Sequence, residues 1–208
     1  MLVSATDLLR VGLTMLLAIL AYGRLGTLLR FAFPGRVRHR EQVGAAEPPG
    51  PAAAALRAAG FRFLGARAET ILRVHGRVAA VYAHPDGRVV DLPLSGQLPG
   101  AYVMTIFGDG RCALTRVGAG REVTADRYRS VTVGPGATVR DLLATHAEAR
   151  AAISLGEPAR VVGRLADRLT LAELWYRDHA RVELGVPALL EGALLLGLVG
   201  LAVYLWIL

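Results

Sequence analysis

The stretch VPALLEGALLLGLVGLAVYLWIL, residues 186–208, holds one charge, Glu191, in 23 residues. As a helix it extends roughly 35 Å, enough to cross the ~30 Å hydrocarbon core of a bilayer with some tilt. A second apolar run, Val11–Leu29, lies near the other end between Arg10 and Arg30 and is interrupted by Arg24. A secretory signal peptide is the alternative for this run, but the small-x-small cleavage pattern is missing, and an uncleaved span is favoured. The two runs divide the chain. Residues 1–33 read as an N-terminal transmembrane helix and 34–51 as a basic, then proline-rich linker. Residues 52–169 read as a cytoplasmic α+β domain, 170–185 as an interfacial connecting helix and 186–208 as a C-terminal transmembrane helix.

Inside the C-terminal run, Ala193, Gly197 and Gly200 recur at helical spacing. Such a stripe of small residues lets membrane helices approach closely. Tyr204 and Trp206 near the far end, and Trp175 and Tyr176 ahead of the run, suit the membrane interface, where amphipathic rings settle. Gly185 and Pro187 read as the stop of one helix and the first turn of the next.

Arginine placement sets the expected orientation. Arg30, Arg36, Arg38 and Arg40 follow the first run, Arg168, Arg177 and Arg181 precede the second, and the outer flanks hold only Arg10. Positive charge stays on the cytoplasmic side, so the middle of the chain is expected in the cytoplasm and both short ends outside. Arg36, Arg38 and Arg40 are also placed to meet anionic headgroups, at about 1 kcal/mol each. All 24 basic residues are arginine, and lysine and asparagine are absent. That bias suggests a high-GC bacterial genome, and hence a bacterial inner membrane. The net charge of +7 invites a nucleic-acid reading. Topology already accounts for the arginines, and no basic motif with interleaved aromatics is present.

Between the runs the period changes from helical to two. Ala68–Val74, Val78–Ala83, Arg88–Leu92, Ala101–Phe107, Arg111–Val117 and Glu122–Val133 are strand candidates rich in Val, Ile, Tyr and Thr. Pro85-Asp86-Gly87 and Asp109-Gly110 are tight-turn signals between them. The fold class expected is therefore α+β: an antiparallel β-meander of about five or six strands, covered by helices on one side and flanked by the two transmembrane helices. Pro51 opens a short helix before the sheet. Gly134-Pro135-Gly136 ends the sheet, and Thr138 with Asp141 opens a helix whose inner face carries Val139, Leu142, His146 and Ile153. A second box, Thr170 with Glu173, is expected to open the connecting helix.

The search for chemistry finds little. The single cysteine, Cys112, excludes an intrachain disulfide and any multi-cysteine metal site. The five histidines have no metal-ligand spacing, and Ser95 is not in a nucleophile elbow. Asp86, Asp91 and Asp109 fall in or beside turns, where aspartate has an ordinary structural use. His146 is the histidine of most interest, with a buried structural role favoured over a catalytic one. No catalytic residue, metal or cofactor is assigned.

The leading expectation is a non-enzymatic accessory, scaffold or assembly subunit. Its partners would be membrane lipids and either other transmembrane subunits or a second copy of itself, with no nucleic acid. The alternative is a membrane-tethered ligand or lipid sensor, whose mark would be a concave pocket with a few convergent polar groups. An enzyme acting at the membrane ranks third and requires His146 or another titratable group to face a cleft beside the membrane. By helical rise, Arg24 and Glu191 lie at about the same depth from the inner face, and each alone is costly there, so an ion pair between them is expected. A double-mutant cycle of Arg24→Leu and Glu191→Gln should give a coupling of about 1 kcal/mol or more in detergent unfolding. Strict additivity would remove the pair.

Overall fold

Turn chemistry and strand alternation build the sheet. In the computed structural model, which describes residues 5–72, 74–118 and 120–207, eight strands form one sheet. They are β1 (Val37–Glu41), β2 (Arg62–Ile71), β3 (Val74–Ala83), β4 (Val89–Pro93), β5 (Tyr102–Ile106), β6 (Cys112–Val117), β7 (Val123–Ala125) and β8 (Tyr128–Val133). Their spatial order is β1-β2-β3-β4-β5-β6-β8-β7. The meander from β1 to β6 is antiparallel, as the tight turns require. The helices are α1 (Ala5–Ala32), α2 (Pro51–Ala58), α3 (Val139–Ser154), α4 (Leu165–Asp178) and α5 (Ala180–Ile207). The fold is thus α+β, with a mostly antiparallel sheet and a long helix at each end.

Several expectations are corrected. The strand candidate Ala68–Val74 holds the β2–β3 turn, so it divides between two strands and β2 begins earlier, at Arg62. The sheet is mixed, because the candidate Glu122–Val133 is two strands turning at Asp126-Arg127, and β8 inserts beside β6 in parallel while β7 takes the edge. The linker is not wholly irregular: Val37–Glu41 pairs with β2, burying Val37 and exposing Arg38 and Arg40 in strand alternation. The helices cover both faces. Leu56 of α2 and Leu142 of α3 pack on Tyr82, Val90 and Val103, whereas Leu165 and Leu171 of α4 pack on Val81, Met104 and Leu114. The helix break falls at His179, so α5 continues through Gly185 and Pro187.

Tertiary contacts explain that last correction. The His179 ring lies 5.1 Å from Tyr128 in a stacked arrangement, with Nε2 3.0 Å from the Gly110 carbonyl, which anchors the chain at the break. Gly185 lies within α5 instead of ending a helix, beside Phe31 of α1, where a Cβ would make an ordinary contact at 3.8 Å. The helix ahead of the break also starts earlier than Thr170. The Asp167 carboxylate accepts from the Arg164 and Gly163 amides, while the Thr170 hydroxyl donates to the Ala166 carbonyl inside α4. The box at Thr138 and Asp141 forms as read, with both reciprocal bonds present.

α1 and α5 run antiparallel. Phe31 lies beside Gly185 and Leu28 beside Gly192, where a Cβ would lie 3.7 Å from Leu28, and the Trp206 indole donates to the Thr14 hydroxyl at 3.0 Å. Both helices are long and apolar enough to cross a membrane.

His146 is fully buried between α3 and the sheet. Its Nε2 lies 2.9 Å from the Thr105 hydroxyl and its Nδ1 3.1 Å from the Thr115 hydroxyl. Burial, reinforced by Arg88 and Arg150, lowers its pKa from 6.5 to about 3. The unfolded ring takes up a proton below its ordinary pKa and the folded ring does not, so stability falls as pH drops through that window. This ring should cost about 2 kcal/mol by pH 5. His146→Gln should flatten the acid limb of the unfolding free energy measured from pH 7 to 4. An unchanged slope would place the acid sensitivity elsewhere.

Candidate functional site

A β-bulge decides which side chains meet on the α4 face of the sheet. In β2 the pairing shifts between Phe63↔Tyr82 and Gly65↔Val81. The extra residue reverses the parity of the strand. Phe63 therefore packs with Tyr82 toward α2 and α3, while Gly65 and Arg67 turn toward α4. Gly65 takes φ +131°, and a Cβ there would press on Leu165 at 3.1 Å, so both backbone and packing call for glycine. Farther across the sheet, Asp91↔Tyr102 and Tyr102↔Arg116 continue the same row over β4, β5 and β6.

The Asp91 carboxylate is the centre of this row, with no side-chain exposure. Arg168 of α4 grips it through Nε to Oδ1 at 3.1 Å and Nη2 to Oδ2 at 3.0 Å. Arg67 donates Nε to Oδ2 at 2.5 Å, and the Tyr102 hydroxyl donates to Oδ2 at 2.6 Å. The Tyr102 oxygen in turn accepts from both Arg67 and Arg168. Arg67 also donates Nη1 to His39 Nδ1 at 3.0 Å, which leaves the His39 proton on Nε2. Burial alone would raise the Asp91 pKa, but Arg168 and Arg67 outweigh it and hold the carboxyl well below the usual carboxylate range. Burial and then Arg67 push His39 down to about 3, so the ring is neutral at pH 7.

Two buried glutamates border the same region. Glu69 on β2 accepts from Arg30 of α1 at 2.6 Å and from the Tyr176 hydroxyl of α4 at 2.9 Å. Burial opposes its ionisation, yet Arg30 and Arg67 keep its pKa below the ordinary value. Glu183 on α5 accepts from the Tyr128 hydroxyl at 2.8 Å and pairs with Arg116 of β6. Each long helix is therefore tied to the sheet by one arginine–glutamate pair.

Between these pairs lies a cavity of about 570 Å³, within the range of small-molecule sites. Arg30, Arg67, Arg77, Arg116 and Arg168 line it, against Glu69 and Glu183, with Asp91 beneath. Tyr102, Met104, Leu114, Trp175 and Leu184 supply aromatic and apolar wall. Three buried N–H groups of lining residues have no acceptor among the described residues: Arg168 Nη1, Arg116 Nε and Trp175 Nε1. Nothing here resembles a nucleophile–base pair, and among the described residues no His, Cys, Asp and Glu cluster could hold a metal. What the arrangement can do is bind an anion.

A smaller cavity of about 380 Å³ contains Arg127, Arg160, Arg177 and His179. Arg160 is spent on the Phe107 and Gly108 carbonyls and Arg177 on Asp178.

The residues singled out in the sequence fall largely elsewhere. Tyr176 is buried on Glu69, and Trp175 packs partly buried beside it, so both are built into the protein. Tyr204 and Trp206 are exposed near the far end of α5. Arg36, Arg38 and Arg40 are exposed around β1. Ala193, Gly197 and Gly200 are exposed on α5, away from the face that meets Gly185 and Gly192. Glu191 is half-buried, while the Arg24 side chain lies outside the described residues, and with it the geometry of the expected pair. Asp91, inside the expected strand Arg88–Leu92, is the middle residue of β4 and not beside a turn. Its one legible signal was position: a charge inside the run Val89–Leu92, whose neighbours are all buried.

Comparison with protein-family models, with curated proteins and with solved structures gives no significant match. The class defined by fold and site is thus a mixed-sheet α+β domain with an arginine-lined cavity, carried between two helices long and apolar enough to cross a membrane.

Asp91→Asn should leave Arg168 buried without its counter-charge and Arg67 with only Glu69 at 3.8 Å, and cost about 3–5 kcal/mol, read by guanidinium unfolding of the detergent-solubilised chain. A loss under about 1 kcal/mol would mean the carboxylate does not hold this face together.

Proposed function

We propose that the chain is a membrane-tethered binding domain whose cavity takes an anionic ligand, with occupancy passed to the two spans. Its place is the cytoplasmic membrane of a bacterium, with the domain on the cytoplasmic side, an orientation supported by the arginine bias. The observation that carries the reading is Arg168 Nη1. A guanidinium 1% exposed keeps one N–H without an acceptor among the described residues on the wall of a 570 Å³ cavity. Leaving such a donor unpaired costs about 1–3 kcal/mol or more, and an incoming oxyanion removes that cost.

The route to the membrane is short. An anion near Arg116 competes with Glu183 of α5, and one near Arg67 disturbs Glu69, which holds Arg30 of α1. Both spans thereby sense the charge state of one cavity. His146 gives the enzyme reading no support, because its ring is buried between two threonines.

One observation favours a second role as an accessory subunit. The open space around Gly197 and Gly200 lies on a face of α5 that α1 does not use, which suits a helix of another membrane protein or of a second copy.

Purification of the full chain from its native membrane in mild detergent should bring down a stoichiometric organic anion, detected by mass spectrometry after denaturation. Ala172→Phe, which places a ring in the cavity from α4, should purify without it. An empty wild-type protein of normal stability would sink the binding reading. A stoichiometric membrane protein in the same preparation would support the second role.

A further inference from the structure

The donors, the charge, the walls and the position of the cavity together narrow its ligand. Arg168 spends Nε and Nη2 on Asp91 and keeps Nη1; Arg116 spends Nη2 on Glu183 and Ser130 and keeps Nε. These two free donors come from α4 and from β6 and border one space. A group with several acceptor oxygens satisfies both at once.

Charge selects among such groups. Five arginines face three carboxylates, and His39 is neutral, so two positive charges are in excess. Arg77 forms no ion pair among the described residues and lies 5.7 Å from the centre of the Tyr102 ring. Burial lowers the pKa of Arg116; Tyr128 opposes this and the like charge of Arg77 adds to it. A phosphate monoester, with about −1.5 to −2 charge at pH 7, balances the excess.

The walls argue that more than phosphate enters. Met104, Leu114, Trp175 and Leu184 give the cavity an apolar side that a bare ion does not need. Its position supplies the source. Arg30 is in the last turn of α1 and Glu183 in the first turn of α5, so the cavity lies at the domain-side ends of both spans, where lipid headgroups are found.

Resting on the binding reading above, we propose that the ligand is a membrane lipid ending in a phosphate monoester. Arg168 and Arg116 hold its phosphate, Arg77 closes the mouth, and the glycerol and upper chains lie along Met104, Leu114 and Trp175.

The test uses the full chain carrying Trp206→Phe, which leaves Trp175 as the single tryptophan. It is placed in phosphatidylcholine nanodiscs, and phosphatidic acid is titrated in. The expected result is a saturable change in Trp175 emission. Arg77→Gln, an exposed position whose loss spares the buried network, should keep the thermal midpoint and weaken binding about tenfold. Phosphatidylglycerol, a diester, should bind weaker than phosphatidic acid by a similar factor. An equal response to phosphatidylglycerol would reduce the effect to surface charge and overturn the monoester. Equally tight binding of soluble glycerol 3-phosphate would overturn the lipid source while leaving the anion-binding reading intact. No response to any of the three would remove both proposals.

Discussion

A single buried carboxylate, Asp91, holds the α4 face of the sheet together. Two guanidinium groups from distant parts of the chain, Arg67 and Arg168, are brought into the interior only because that carboxylate lies between them. Removing a charge from water costs several kcal/mol, and Coulomb attraction repays it only where geometry and the remaining hydrogen bonds are good. Here Tyr102 bridges all three groups and His39 takes a further Arg67 N–H. One negative charge against two positive ones still leaves an imbalance. The imbalance falls on the side where Arg168 Nη1 lacks an acceptor, which is the side of the cavity.

The two glutamates give that imbalance mechanical meaning. Glu69 joins β2 to α1 and α4, and Glu183 joins α5 to β6 and β8. The two long helices join the sheet through these bonds. The last turn of α1 and the first turn of α5 are bonded to the sheet at the cavity wall. Pro187, four residues after Glu183, removes the N–H that would bond its carbonyl in a regular helix, so α5 is weakened next to its anchor. A ligand that bids for the same arginines acts directly on these anchors, with no long chain of intermediates required.

His146 and Asp91 contrast what a sequence reveals about buried polar groups. His146 is on a helix face with Val139, Leu142 and Ile153, and helical periodicity alone is enough to place it against the sheet. Its partners, Thr105 and Thr115, come from two neighbouring strands and satisfy both ring nitrogens. Asp91 has no comparable pattern. Its Arg168 partner is 77 positions away on α4, and its other partner, Arg67, faces it only because a bulge turns the strand over. Strict alternation would put Arg67 with Phe63 on the opposite face. Asp91, Arg67 and Arg168 were therefore visible as residues and invisible as a site.

The chain alone determined the features that depend on local composition and period. The two long apolar helices, the tight turns at Pro85-Asp86-Gly87 and Asp109-Gly110, the antiparallel run from β3 to β6 and the capping box at Thr138 all follow from neighbours within a few positions. Tertiary structure alone decided the rest: the parallel insertion of β8, the recruitment of Val37–Glu41 as an edge strand, helices on both faces, and the break at His179 instead of Gly185. Each of these depends on which distant surface a segment finds, and the gain from burying it outweighs local preference. The cavity belongs to the same category. It exists because a bulge, a helix docking and two ion pairs converge, and no stretch of the sequence contains more than one of them.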